Sequence, residues 1–139
     1  MKDLSNVSYF GAGPCEAYED KHAYAPVSLY KSTIKNMEVP YVIPQESGSH
    51  AFTRQVIFSN SKKKLVIESQ KDFSFNASYY NQNMLPLHHF ELSEDKCIYL
   101  HIDYRMNGVG SMSCNHFDNI PFTYNLTEKK IKHSFVIKF

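Results

Sequence analysis

Phe73-Ser74-Phe75-Asn76-Ala77-Ser78-Tyr79 is the stretch on which the fold turns. Its apolar members fall on every second residue, the period of an extended chain whose side chains leave alternate faces. Ile98, Leu100, Ile102 and Tyr104 repeat the pattern around Tyr99, His101 and Asp103, and Phe135, Ile137 and Phe139 repeat it around Val136 and Lys138. Each stretch predicts a strand with one buried face. Further strands are expected at residues 51–58, 64–69, 87–92 and 121–126. The short polar connection over residues 59–63 predicts a hairpin between the first two of these. No window sustains a helical period, and residues 28–36 are the best helical candidate, as a single turn or an irregular segment. Many short strands separated by turn signals predict an all-β chain, an antiparallel β-sandwich.

Composition agrees with one domain over residues 1–139. The chain has 42% hydrophobic and 21% charged residues, with ten Tyr, ten Phe and no Trp. Residues 1–48 carry most of the glycines and prolines and read as loop-rich; residues 49–139 read as strand-rich. The net charge of +1 lacks the basic excess of a phosphate-binding protein, so no nucleic-acid partner is expected. No apolar run has the length of a membrane span, and no signal-peptide hydrophobic region opens the chain, so a cytoplasmic location without membrane contact is expected. Cys15, Cys97 and Cys114 form an odd set without a Cys-x-x-Cys pair, which fits a reducing compartment.

Several constellations are candidates for chemistry. Glu16, Glu19 and Asp20 cluster after a Gly-Ala-Gly-Pro turn, and paired carboxylates serve glycosidases; solvated loop charges are the simpler reading. His88 and His89 are adjacent, so on a strand they face opposite ways and cannot share one metal ion. Cys97 reads as a small buried hydrophobe. Cys114 has His116 two residues on, although Cys/His pairs are matched in space rather than in sequence. The glycines of Met106-Asn107-Gly108-Val109-Gly110 lack the following helix of a phosphate loop, leaving a turn that shapes a site edge or a tight connection.

Three ordered stretches resemble the C-terminal end of β-galactosidases of glycoside hydrolase family two. Tyr9-Phe10-Gly11-Ala12-Gly13-Pro14-Cys15-Glu16-Ala17-Tyr18-Glu19-Asp20 is similar to the family's aromatic-x-Gly-x-Gly-Pro-x-Glu-x-Tyr-x-Asp signature. Pro40-Tyr41-Val42-Ile43-Pro44-Gln45-Glu46-Ser47-Gly48 is similar to its Pro-Tyr-x-x-Pro-Gln-Glu-x-Gly, with Arg54 following. The third comprises residues 73–80, His88-His89 with Glu91-Leu92, and residues 106–114.

The resemblance implies the C-terminal half of a galactose-mutarotase-like supersandwich. It implies a part of an enzyme that hydrolyses terminal non-reducing β-D-galactosides of the lactose type. The catalytic glutamates are then outside this chain, which completes the active-site wall and the assembly. Its partners are the catalytic barrel, the first half of the supersandwich and the galactoside, in an enzyme that is oligomeric when intact. No cofactor is expected in this chain, Mg and Na belonging to the barrel. The wall position falls on Cys114, with His116 beside it where the family usually has Gly-Pro. Gly11, Gly13 and Pro14 are expected to fix a turn. Glu46 and Arg54 are expected to pair or cap backbone groups, and Tyr18 and Tyr41 to pack. Glu16, Pro44, Gln45 and Gly48 are read with them as structural. The alternative is a stand-alone, non-catalytic carbohydrate-binding β-sandwich.

Overall fold

In the computed structural model of the chain, which describes residues 3–110 and 122–139, strands account for nearly all regular structure. They are β1 (Asn6–Ala12), β2 (Val27–Thr33), β3 (His50–Ser59), β4 (Lys64–Ser78), β5 (Tyr99–Asp103) and β6 (Val136–Lys138). All pair antiparallel in one sheet of order β2-β1-β3-β4-β5, with β6 also on β4. The 59–63 connection closes the expected hairpin, with Ser59 opposite Lys64. Asn60 makes the turn, its Oδ1 accepting from the N–H groups of Lys62 (2.7 Å) and Lys63 (2.8 Å). Asn favours this position because its short amide satisfies the turn's own backbone.

β4 organises the sheet. It joins the 64–69 and 73–79 stretches, expected as two strands, into one that pairs with β3 along one edge. Its other edge carries β6 opposite Val66–Glu68 and β5 opposite Ser74–Ser78. Between those halves Gln55 faces Glu68 while Thr53 already faces Phe73, so residues 69–72 bulge from the ladder. Arg54 bridges the bulge, donating to the Gln70 carbonyl (3.0 Å) and pairing with Asp72.

The core lies on one face of this sheet. Val7 and Tyr9, Val56 and Phe58, Leu65 and Ile67, and Phe73, Phe75 and Ala77 point inward from β1, β3 and β4. They meet Ile34 and Met37 of α1 (Ile34–Met37), and Leu100 and Ile102 pack against them. The rings of Tyr9, Phe58 and His50 all lie 4.7–6.2 Å from a core neighbour, with Phe75 meeting each of the three. Edge and offset contacts of this kind add to the area that the rings bury.

The other face of β4's second half departs from the expectation of one buried side. Ser74 and Asn76 are buried as fully as Phe73 and Phe75. Asn76 donates to the Ser47 carbonyl and to Glu46, so chain from the loop-rich third covers this face. That third is less irregular than expected, because β1 and β2 both lie in residues 1–48. Residues 28–36 are mostly strand β2 rather than a helical turn; the helical turn follows, capped by Thr33, whose Oγ1 accepts from Asn36 N–H.

Other expectations fail for local reasons. Residues 87–92 hold a short 3-10 turn (His89–Glu91) after Pro86, closed by Glu91 reaching back to the His88 N–H (3.0 Å). Phe122–Tyr124 is likewise a 3-10 turn, not a strand. Cys97 is exposed in the turn before β5 rather than buried. Ile137 and Phe139 are exposed, and of the C-terminal alternation Phe135 packs on the core.

Truncating Phe75, which is 0% exposed, removes the ring shared by three aromatic neighbours. Phe75→Ala should cost about 3–5 kcal/mol in urea unfolding, whereas Asn60→Ala in the exposed hairpin turn should cost only about 1 kcal/mol.

Candidate functional site

The first two resembling stretches meet at one buried carboxylate, and the third reaches Glu46 beside it through Asn76. After β1 the chain passes Gly13 and a cis Gly13–Pro14 peptide. Ala17 then docks beside β3, its N–H donating to the Ser49 carbonyl (2.7 Å) and its carbonyl accepting from the Ala51 N–H (3.0 Å). That docking turns Glu16 inward, where it is 6% exposed. Its Oε2 accepts from the Gly48 N–H (2.9 Å); its Oε1 accepts from the Tyr41 hydroxyl and from Lys21 Nζ (2.9 Å). Lys21 Nζ also reaches the Tyr41 hydroxyl (3.1 Å). Gly48 has φ +76°, in the left-handed region that glycine enters without strain, and a side chain there would also press on the Met37 carbonyl.

Burial pushes the Glu16 carboxyl up, but the Gly48, Tyr41 and Lys21 donors outweigh it and hold the group below its ordinary range. Hydrogen bonds to Glu16 and Tyr41 raise Lys21 in turn. Glu46 lines the same open cleft of about 500 Å³. Its Oε1 accepts from Tyr18 (3.4 Å) and Asn76 (3.3 Å), and burial raises its carboxyl against those donors. One lowered and one raised carboxyl sharing a cleft is the pattern of an acid–nucleophile pair. Here, however, both Glu16 oxygens are taken by the protein's own donors.

The other expected residues sort plainly. Gly11 lies inside β1 rather than in a turn, where an added side chain would come 2.9 Å from Thr53 Cα. Gly13 and Pro14 do form the exit, with the Gly13 N–H donating to the Pro26 carbonyl (3.3 Å). Glu46 and Arg54 do not pair with each other; Glu46 holds Tyr18 and Asn76, while Arg54 caps the Gln70 carbonyl. Tyr18 is buried and Tyr41 half-buried, and beyond packing each donates its hydroxyl to a carboxylate, Tyr18 to Glu46 and Tyr41 to Glu16. Pro44 is half-buried and Gln45 exposed beside them. Cys114 and His116 lie outside the described residues. Among the described residues no three His, Cys, Asp or Glu side chains gather as a metal ion would require. No helix of the described chain is long and apolar enough to cross a membrane.

Lys21 and Asn76 escaped the sequence reading, though both complete the cluster. Lys21 stands five residues after Glu16, a spacing that signals nothing until the Ala17 docking is known. Asn76 sits among the polar residues of an alternating strand and reads there as solvent-facing.

Beside the cluster, residues 104–110 are stitched to residues 123–128. The Gly108 N–H donates to the Tyr124 carbonyl (3.0 Å), the Leu126 N–H to Asn107 Oδ1 (2.6 Å), and Arg105 Nη2 to the Thr123 and Asn125 carbonyls (3.4 and 3.3 Å). Arg105 also lies 4.0 Å from Glu19 and 3.9 Å from Glu128. Asp20 accepts from both the Val109 and Gly110 N–H groups at 2.9 Å.

The unit is one antiparallel sheet with loops braced on it by the Glu16 and Glu46 carboxylates. The model of the beta galactosidase small chain family matches residues 1–137. The chain belongs to that family. It is 39% identical to a beta-galactosidase of Actinobacillus pleuropneumoniae and 34% identical to one of Staphylococcus xylosus, in each case over 99% of this chain. A Vibrio cholerae beta-galactosidase is 38% identical over 75% of it. The chain spans only 13% and 14% of the length of the first two relatives.

His50, between the rings of Tyr9 and Phe75, yields a pH test. Its Nδ1–H donates to the Ala12 carbonyl (3.0 Å), and Nε2 is buried without a partner among the described residues. Burial depresses the imidazole from 6.5 to about 4. A base with a depressed folded value is favoured neutral, so its stability contribution is complete above pH 6.5 and drains away as pH falls toward 4. That contribution should reach roughly 3 kcal/mol. Glu16 acts in the same direction; burial of Glu19, Glu46 and Asp103 acts against it. The measurement is therefore the difference in urea stability between the purified chain and His50→Gln from pH 4 to 7. The wild-type chain should lose more stability toward pH 4.

Proposed function

We propose that this chain is the C-terminal, non-catalytic part of a family two glycoside hydrolase. The whole enzyme hydrolyses terminal non-reducing β-D-galactosides, lactose among them. The observation that carries this reading is the match of nearly the whole chain to about an eighth of two beta-galactosidases. The burial of Glu16 supports it: a nucleophilic carboxylate has to be reached by the substrate, and this one is 6% exposed and held by Lys21, Tyr41 and the Gly48 N–H.

On this reading the sheet is one half of a larger supersandwich. The catalytic pair, with any Mg or Na, belongs to a barrel domain elsewhere in the enzyme. The chain's partners are that barrel and the first half of the supersandwich, in a cytoplasmic oligomer. Cys114 and His116 line the galactoside pocket. A cysteine has little apolar area for a sugar ring compared with an aromatic side chain, so Cys114 contributes a wall rather than a stacking platform. A stand-alone sugar-binding sheet is the lesser reading, because Tyr18 is buried and the Tyr41 hydroxyl is held by Glu16.

The purified chain should show no turnover of a chromogenic β-galactoside and no saturable galactose binding by calorimetry. Galactosidase lacking this segment should be inactive and regain activity when the chain is supplied. Turnover by the chain alone, abolished in Glu46→Gln, would move the chemistry here. Saturable sugar binding by the chain alone would favour the binding module.

A further inference from the structure

We infer that the free edge of β2 receives an extended strand from another part of the beta-galactosidase, an inference that rests on reading this chain as one part of that enzyme. β2 ends the strand order β2-β1-β3-β4-β5, and among the described residues only β1 pairs with its backbone. Its far side therefore presents the N–H and C=O groups of alternate residues to a further strand. Native proteins blunt such edges with short strands, bulges, prolines or charges. β2 is long and regular instead. Its seven residues match Asn6–Ala12 one for one, Pro26 stands outside it, and Lys31 is its one charge.

The side chains beside the edge define the kind of strand that fits. Tyr30 turns to the core face, where its ring lies 5.4 Å from that of Tyr9. Val27 and Leu29 turn the other way and are 49% and 64% exposed, and Leu29 stands opposite Phe10, itself exposed. An added strand would set its own side chains against Val27 and Leu29, as cross-strand neighbours do. A strand with apolar residues at alternate positions on that face covers the surface; a wholly polar one leaves it unsatisfied. This chain spans only 13% and 14% of the length of two relatives, so most of the enzyme is available to supply that strand. A segment already assembled with this sheet meets the edge at an effective concentration of roughly millimolar, which favours it over the β2 edge of a second copy.

The test is hydrogen exchange in the galactosidase that contains this chain, read over the seven amides of β2. All should exchange slowly, as in β3, which is paired on both sides. Each should fall roughly a hundredfold or more below its unprotected rate. The protection should persist when the enzyme is diluted until sedimentation shows one copy of this chain per particle. Val27→Lys combined with Leu29→Lys should free alternate amides of β2 or abolish assembly, which Lys63→Ala in the exposed hairpin should not. If alternate amides exchange fast in the wild-type enzyme while the chain still restores activity to galactosidase lacking it, the inference fails and the part-of-enzyme reading stands. If the chain neither joins nor restores the truncated enzyme, that reading fails and the inference with it. Protection lost on dilution would assign the strand to a second copy, and protection unchanged in the double lysine variant would assign it to a covering independent of this edge. Either result overturns the inference.

Discussion

The Glu16 carboxylate is the constraint on which the rest depends. Removing a carboxylate from water costs several kcal/mol unless charge and hydrogen bonds replace the lost solvation. Here the replacements come from three places: Lys21, Tyr41 and the Gly48 N–H. Each lies in a segment without strand order of its own. The need to satisfy one buried charge thus ties residues 16–21 to residues 41–48. Asn76 and Glu46 then tie that layer to the polar face of β4. Residues 16–21 and 41–48 are held by polar bonds, while the sheet beneath them is held by apolar burial.

This division explains how the carboxylates after the Gly-Ala-Gly-Pro turn can suggest a glycosidase pair in sequence. A glutamate flanked by tyrosines and a lysine is what a glycosidase site offers, and it is also what a buried carboxylate requires. Burial separates the two: Glu16 is all but closed off from solvent, and the donors around it belong to its own chain. The charge cluster is therefore better read as a brace that holds a loop layer against the sheet.

The sheet was largely legible in sequence because alternation reports burial directly. Phe73, Phe75 and Ala77 point to the core as expected, and Leu100 and Ile102 pack against it. The hairpin was legible because Asn60 and its polar neighbours have few other uses. What the sequence concealed depended on long-range partners. The bulge at residues 69–72 is visible only once Arg54 is opposite it. Burial of Ser74 and Asn76 follows from a loop some thirty residues away. Strand β2 lies at the sheet edge with no buried residue, so its pairing with β1 rather than a side-chain pattern makes it a strand, and β1, between β2 and β3, alternates only through Val7 and Tyr9 before its glycine. At the candidate site, Glu16 and Gly48 were legible as motif positions. Their mutual hydrogen bond, and the parts of Lys21 and Asp20, were not.

The most direct test of this account is the kinetic and thermal behaviour of Glu16→Gln in the assembled galactosidase. A brace predicts a clearly lower melting temperature, with kcat retained within a few-fold in the folded enzyme, because the amide cannot pair with Lys21 yet no reacting atom is touched. A loss of kcat of about a thousandfold or more at an unchanged melting temperature would contradict it, since that is the signature of a group acting in the transition state.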